Sequence, residues 1–176
     1  RRSEIEVPDY ELKQGILPLS NENRRVDEDL ITKILTTIVA IANNGPKRDG
    51  KILIGVADKA DHAKRVRELD DISANQVSSR YVVGVTREAK YLGWTPEQYY
   101  NFWKEKIRKS KISDQLKSDV LSCLDYNDFY GFGILIITIP HQKELSYFGD
   151  EVYCREGDST VHVILAKKIA KLAQRF

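Results

Sequence analysis

The chain has 176 residues, 41% of them hydrophobic and 31% charged, with a formal net charge of +2. These proportions fit one globular domain and exclude a disordered chain, and no apolar run approaches the roughly 20 residues of a membrane-spanning helix. So small a net charge places any nucleic-acid role on local basic clusters, and two cysteines, Cys123 and Cys154, make no disulfide framework and have no zinc spacing, which leaves a reducing, cytoplasmic setting as the expectation. Arg1-Arg2-Ser3-Glu4 has no apolar signal segment. There is no methionine, even at position 1. The expectation is a single domain over residues 1–176, cut from a longer chain that carries a fused or partner domain.

In chain order, Val7-Pro8 predicts an extended entry, because the residue before proline is pushed out of the α region. Tyr10 to Lys13 then reads as a short strand in which Glu11 and Lys13 share a face. Gly15, Pro18, Ser20, Asn21 and Asn23 mark a loop. Leu30, Ile31, Ile34, Leu35, Ile38, Ile41 and Ala42 recur at helical spacing. Asp27, Glu28 and Asp29 suit the start of that helix, and Asn43-Asn44-Gly45-Pro46 suits its end. After the basic turn Lys47-Arg48-Asp49-Gly50, the continuous apolar run Lys51–Val56 predicts a strand covered on both faces. Asp58 stands at its C-terminal end, where α/β sheets tend to expose functional groups.

Residues 59–79 are charged and aperiodic, expected to be loop with some helix. Tyr81–Val85 reads as a second apolar strand. Pro96 opens a helix with Tyr99, Tyr100, Trp103 and Ile107 on one side, and a further helix over about 113–124 carries Leu116, Val120 and Leu124. Ile134–Ile139, ended by Pro140, and Glu151–Arg155 read as strands. A last helix is expected over 161–175, with Val161, Leu165, Ile169 and Leu172 inward. The fold class is therefore α+β, a mixed β-sheet packed by helices.

No P-loop, nucleophile elbow or catalytic Cys–His signature occurs, and His62, His141 and His162 are scattered. Taken alone, Glu6 and Glu11 belong to an acidic surface run, and Asp58 is an ordinary turn acid. Their order is more specific. Glu6, then Glu11-Leu12-Lys13, then a long helix ending Ala40-Ile41-Ala42-Asn43-Asn44-Gly45, then Ile52-Leu53-Ile54-Gly55-Val56-Ala57-Asp58, resembles the Schlafen AlbA-type domain. Tyr81-Val82-Val83-Gly84-Val85, the strand ending at Pro140, and Tyr153-Cys154-Arg155-Glu156-Gly157-Asp158-Ser159-Thr160 are similar to later family segments. The resemblance covers roughly residues 4–163, with residues 59–125 as an enlarged middle. Leu12 stands where the family has phenylalanine, Gly45 and Gly50 are separated by Pro-Lys-Arg-Asp, and Ala57 replaces the first acid after Gly-Val.

The resemblance implies nucleic-acid binding, and in the Schlafen nucleases three carboxylates at the positions of Glu6, Glu11 and Asp58 form a metal-dependent RNA-cleaving site. It implies Mg²⁺ or Mn²⁺ on these three acids, with Lys13 stabilising developing charge. Lys47, Arg48 and Lys51 are the best candidates for the substrate backbone, with Arg155 a further one. The clusters Lys104–Lys111 and Lys167–Lys171 read equally well as solvated helix faces. Trp94, Tyr99, Tyr100 and Trp103 offer base stacking, although helical aromatics are more often core. The leading expectation is a metal-dependent endonuclease, with RNA ahead of DNA. The alternative is a non-catalytic module that recruits DNA or RNA for a fused ATPase or regulatory domain. A third reading is homotypic assembly through the terminal helix. Because known nuclease bodies of the family enclose a groove with two related lobes, a homodimer is expected to supply the second wall, and family company suggests a defence role.

Overall fold

The computed structural model describes residues 9–176. In chain order it contains β1 (Tyr10–Lys13), α1 (Glu28–Ala42), β2 (Gly50–Ile54), β3 (Val56–Ala57), α2 (Ala60–Asp70), β4 (Asn75–Val77) and β5 (Arg80–Val82). These are followed by α3 (Thr86–Leu92), α4 (Pro96–Arg108), α5 (Asp114–Cys123), β6 (Asp125–Phe129), β7 (Phe132–Ile139), β8 (Val152–Glu156), β9 (Ser159–Val163) and α6 (Ala166–Ala173). Among the described residues the strands form a four-stranded sheet in the order β1-β2-β7-β6, a small β3-β5-β4 sheet and the β8-β9 hairpin. β1 runs parallel to β2, and β7 antiparallel to both β2 and β6. The α+β class is as the sequence predicts.

α1 starts where the side chain of Asp27 accepts from the Leu30 N–H at 3.2 Å, with Glu28 and Asp29 in the first turn. Its apolar stripe lies on the main sheet, where Ile34, Ile38 and Ile41 share a core with Ile52, Ile54, Leu135, Ile137 and Ile139. α4 begins with a capping box in which Thr95 and Gln98 satisfy each other's backbone N–H. It contributes fully buried Tyr99 and Trp103 to the same core, so neither ring is free to stack on a base. α5 adds Leu116 and Val120.

Three expectations need correction. The run Lys51–Val56 is covered unevenly on its two faces: Ile52 and Ile54 are buried, Leu53 is half-buried and Lys51 is exposed. The helices cover one face only, and on the other Leu12, Leu53 and Ile134 meet Val56 and Val82 of the small sheet. The run also breaks at Gly55, whose φ of 111° belongs to glycine and turns the chain from β2 into β3. Third, residues 161–163 are not helical. Gly157, at φ 61°, closes a hairpin, Val161 pairs with Cys154, and Leu165 lies exposed before α6. The chain also contains α3 and β6, for which no helix or strand was expected. No helix among the described residues is long and apolar enough to cross a membrane, and Cys123 and Cys154 are free thiols.

Candidate functional site

β1 and the β3–α2 junction meet at a cleft of about 400 Å³ lined by Glu11, Lys13, Asp58, Lys59 and His62, with Gln14 and Gly15 at one side. Two hydrogen bonds explain why these segments meet. The Gly55 N–H donates to the Lys13 carbonyl at 2.8 Å, and the Gly84 N–H donates to the Gly55 carbonyl at 2.8 Å. A Cβ on Gly55 would stand 3.0 Å from the Gly133 carbonyl oxygen and 3.2 Å from Gly84, so this junction depends on a missing side chain. Asp58 follows β3 directly, and the next residue, Lys59, is the N-cap of α2. The partial positive charge of a helix N-terminus is thereby presented beside the cleft.

Glu11 is 7% exposed, and both of its oxygens have cationic neighbours. Arg155 donates through Nη2 to Oε2 at 2.9 Å, and the Lys13 ammonium lies 3.4 Å from Oε1. The Arg155 side chain is 1% exposed and also donates to the Tyr10 carbonyl and to Thr160 Oγ1. Thr160 Oγ1 in turn is 2.7 Å from Thr37 Oγ1 on α1. Arg155 thus faces inward and holds Glu11, rather than presenting its guanidinium to solvent. Asn43, in the Ala-Asn motif, is fully buried. It donates to the Ser146 and Tyr153 carbonyls and accepts from the Ser146 N–H, so it ties the end of α1 to the hairpin that carries Arg155.

The loop after Lys13 has its own anchors. The Glu88 carboxylate accepts from the Ile16 N–H at 2.9 Å, the Leu17 N–H at 2.7 Å and the Tyr99 hydroxyl at 2.8 Å. Burial pushes the Glu88 carboxyl up, against the pull of Arg87 and of these donors. Asp70, at the end of α2, takes a two-pronged bond from Arg24 at 2.6 Å and another from Arg87 at 2.9 Å. Burial works to raise the Asp70 carboxyl, but the two guanidinium groups outweigh it and hold the carboxyl below its ordinary value. Arg87 also donates to the Gln14 carbonyl at 2.9 Å and to the Gln14 side chain. Buried charges therefore fix the chain on both sides of the cleft.

Of the acids singled out in the sequence, Glu11 and Asp58 line one cleft with Lys13, while Glu6 lies outside the described residues. Lys47, Arg48 and Lys51 do not line it. Lys51 pairs in register with Tyr10 at the opening of β2, and Arg48 is held by Asp9 at 2.9 Å. The α4 cluster has internal partners as well, Lys106 with Glu28 and Arg108 with Glu105. Lys59 and His62, which do line the cleft, carry no signal in composition. Their sequence clue is the position just after Asp58, at the first turn of a helix in a segment that lacks helical periodicity.

Residues 6–164 match the family described as Schlafen, AlbA_2. No curated protein matches the chain. Among solved structures, the crystal structure of the DIP2311 protein from Corynebacterium diphtheriae is similar, with a TM-score of 0.51 and 15% identity over 89% of this chain and 22% of that one. A likeness at that identity is one of fold, and the chain spans less than a quarter of that protein's length.

Proposed function

From its membership of the Schlafen, AlbA_2 family, to which this chain belongs, we propose that the domain processes nucleic acid at the Glu11–Asp58 cleft as a metal-dependent endonuclease, with RNA as the preferred substrate. The family supports a nucleic-acid-related function. The observation that carries the finer reading is the shared cleft, in which Glu11 and Asp58 stand with Lys13, Lys59 and the start of α2. Among the described residues, and counting Arg155 behind Glu11, three cations stand around two acids, a balance that favours an anionic ligand.

Hard divalent cations take oxygen ligands. The described residues provide two carboxylates in this cleft and contain no group of three candidate ligands. The donors fit Mg²⁺ or Mn²⁺ in kind, and Glu6, Glu11 and Asp58 would hold it. When bound, such a cation neutralises phosphate oxygens and makes its water more acidic. The chain's own residues would then act directly. Arg155 keeps Glu11 in place, Lys13 is positioned to stabilise charge developing on a non-bridging oxygen, and Lys59 holds the backbone on the other side.

One observation favours a second reading, a non-catalytic module that recruits DNA or RNA for a fused or partner domain. The Glu11 charge is already compensated by the side chains of Arg155 and Lys13, with no need of a metal ion. Incubating the chain with labelled RNA and DNA, in Mn²⁺, Mg²⁺ or EDTA, separates the two. Cleavage that requires the cation supports the endonuclease, and salt-sensitive binding without cleavage supports the module. A homodimer that closes the cleft with a second wall is a further part of the proposal, checked by light scattering on the eluting protein.

A further inference from the structure

The C-terminal hairpin and helix enclose a second recess, distinct from the Glu11–Asp58 cleft. It is a groove of about 610 Å³ between β8–β9 and α6. Its floor is apolar, formed by Cys154, Val161, Val163 and Leu172. Ile164 and Leu165 stand side by side at its lip, 76% and 62% exposed. Neighbouring exposed aliphatic side chains over an open apolar floor mark an interaction surface. The rim is basic. Lys168 and Lys171 from α6 line it with Arg175, and α6 carries three lysines and no acid. Among the described residues lining the groove, Glu156 is the single carboxylate.

We propose that this groove docks an acidic amphipathic peptide segment of a partner protein, with its apolar side chains on the floor and lip and its carboxylates on Lys168, Lys171 and Arg175. Charge complementarity selects this occupant. A second copy of the chain in two-fold contact centred on this groove would bring two basic rims together with Glu156 as the one described carboxylate on each, and like charges across an interface are costly. A nucleic-acid backbone would satisfy the lysines but leave Ile164 and Leu165 without an apolar partner. Among the described residues lining the groove, His162 is the single aromatic ring, and one of its faces is already stacked on Tyr153 at 4.9 Å. An amphipathic acidic segment satisfies both chemistries at once.

The groove is also separable from the cleft. Alternation along the hairpin turns Cys154 and Val161 to the groove, while their neighbours Arg155 and Thr160 reach Glu11 and Thr37 on the opposite face. Substitutions in the groove therefore leave the Glu11 clamp intact.

The test is fluorescence anisotropy with the whole chain and a labelled synthetic helix bearing leucines at i, i+3, i+4 and i+7 and glutamates elsewhere. Control probes are the same peptide with lysine for every glutamate, a single-stranded RNA, and phosphatidylserine vesicles. The glutamate peptide should bind saturably and the lysine peptide should not. Lys168→Glu with Lys171→Glu, and separately Leu165→Asp, should each weaken binding about tenfold or more. All three positions are exposed, and a thermal melt checks each variant's fold. The proposal is overturned if the two peptides bind equally, if neither binds, or if only RNA or vesicles depend on Lys168 and Lys171.

Discussion

Arg155 is the residue on which the cleft leans most heavily. In Arg155→Met, Glu11 would keep its carboxylate in a site where it is 7% exposed, with Lys13 at 3.4 Å as the remaining cation described beside it. Breaking a buried pair by removing one partner costs about 3–5 kcal/mol. The Glu11 side chain retains 10% exposure and Lys13 still offsets part of its charge, so the lower end applies, about 3 kcal/mol. For a chain of this size that lowers the melting temperature by about 6–12 °C. A thermodynamic cycle in urea isolates the pair, because Arg155→Met also loses its bonds to the Tyr10 carbonyl and Thr160 in either background. Combining Arg155→Met with Glu11→Gln should recover at least about 1.5 kcal/mol of the summed single losses. If the two substitutions add to within about 0.5 kcal/mol, Arg155 does not hold Glu11 and the positioning argument fails.

Three further outcomes follow from the same structure. Asp70→Ala removes the carboxylate that Arg24 and Arg87 share, at 5% and 1% side-chain exposure, and urea unfolding should show a loss of about 3–5 kcal/mol; a loss below about 1 kcal/mol would contradict the anchoring role. Because the folded Asp70 carboxyl lies below its ordinary value, its contribution is present above that ordinary value and is lost as pH falls through the folded one. Glu88 has the opposite sign: its folded carboxyl is raised, so stability from this group is greatest below the ordinary carboxylate range and declines as pH rises through the folded value. The stability of wild type relative to Glu88→Gln should therefore decrease from about pH 4 upward, and a difference that stays constant to about pH 8 refutes this. Gly55→Ala must adopt φ 111° against the Gly133 carbonyl; it should destabilise by more than about 1 kcal/mol in the same unfolding assay, and a neutral result would mean that the β2–β3 junction relaxes freely.

The main elements were legible where local chemistry and burial agree. α1 shows an apolar stripe with acids before it and Asn-Asn-Gly-Pro after it, and β7 is an apolar run ended by proline. β6 is Asp-Tyr-Asn-Asp-Phe, with no apolar run, because it lies at the sheet edge and becomes a strand only by pairing with β7. The false helix turn at 161–163 arose because Val161 and Leu165 happen to share helical spacing with Ile169 and Leu172. In the structure, pairing with β8 across the Gly157 turn prevails over that spacing. At the cleft, the order of motifs singled out Glu11, Lys13 and Asp58, and these three line the same recess. It could not reveal that Arg155, 144 residues further along, turns inward onto Glu11. Nor could it separate the basic turn at Lys47–Lys51 from the cleft, because charge alone carries no direction.

The proposed phosphodiester-cleaving site shared by Glu11 and Asp58 is tested most directly by cleavage of a labelled RNA by Asp58→Asn, with binding measured in parallel. Asp58 is half-buried, follows β3 directly and forms no ion pair with another of the described residues. Wild type should cleave with a requirement for Mn²⁺ or Mg²⁺, and the variant should lose about a hundredfold or more of that rate while retaining RNA affinity within about threefold. Cleavage that persists undiminished in Asp58→Asn, or that is equally fast in EDTA, would contradict the proposal.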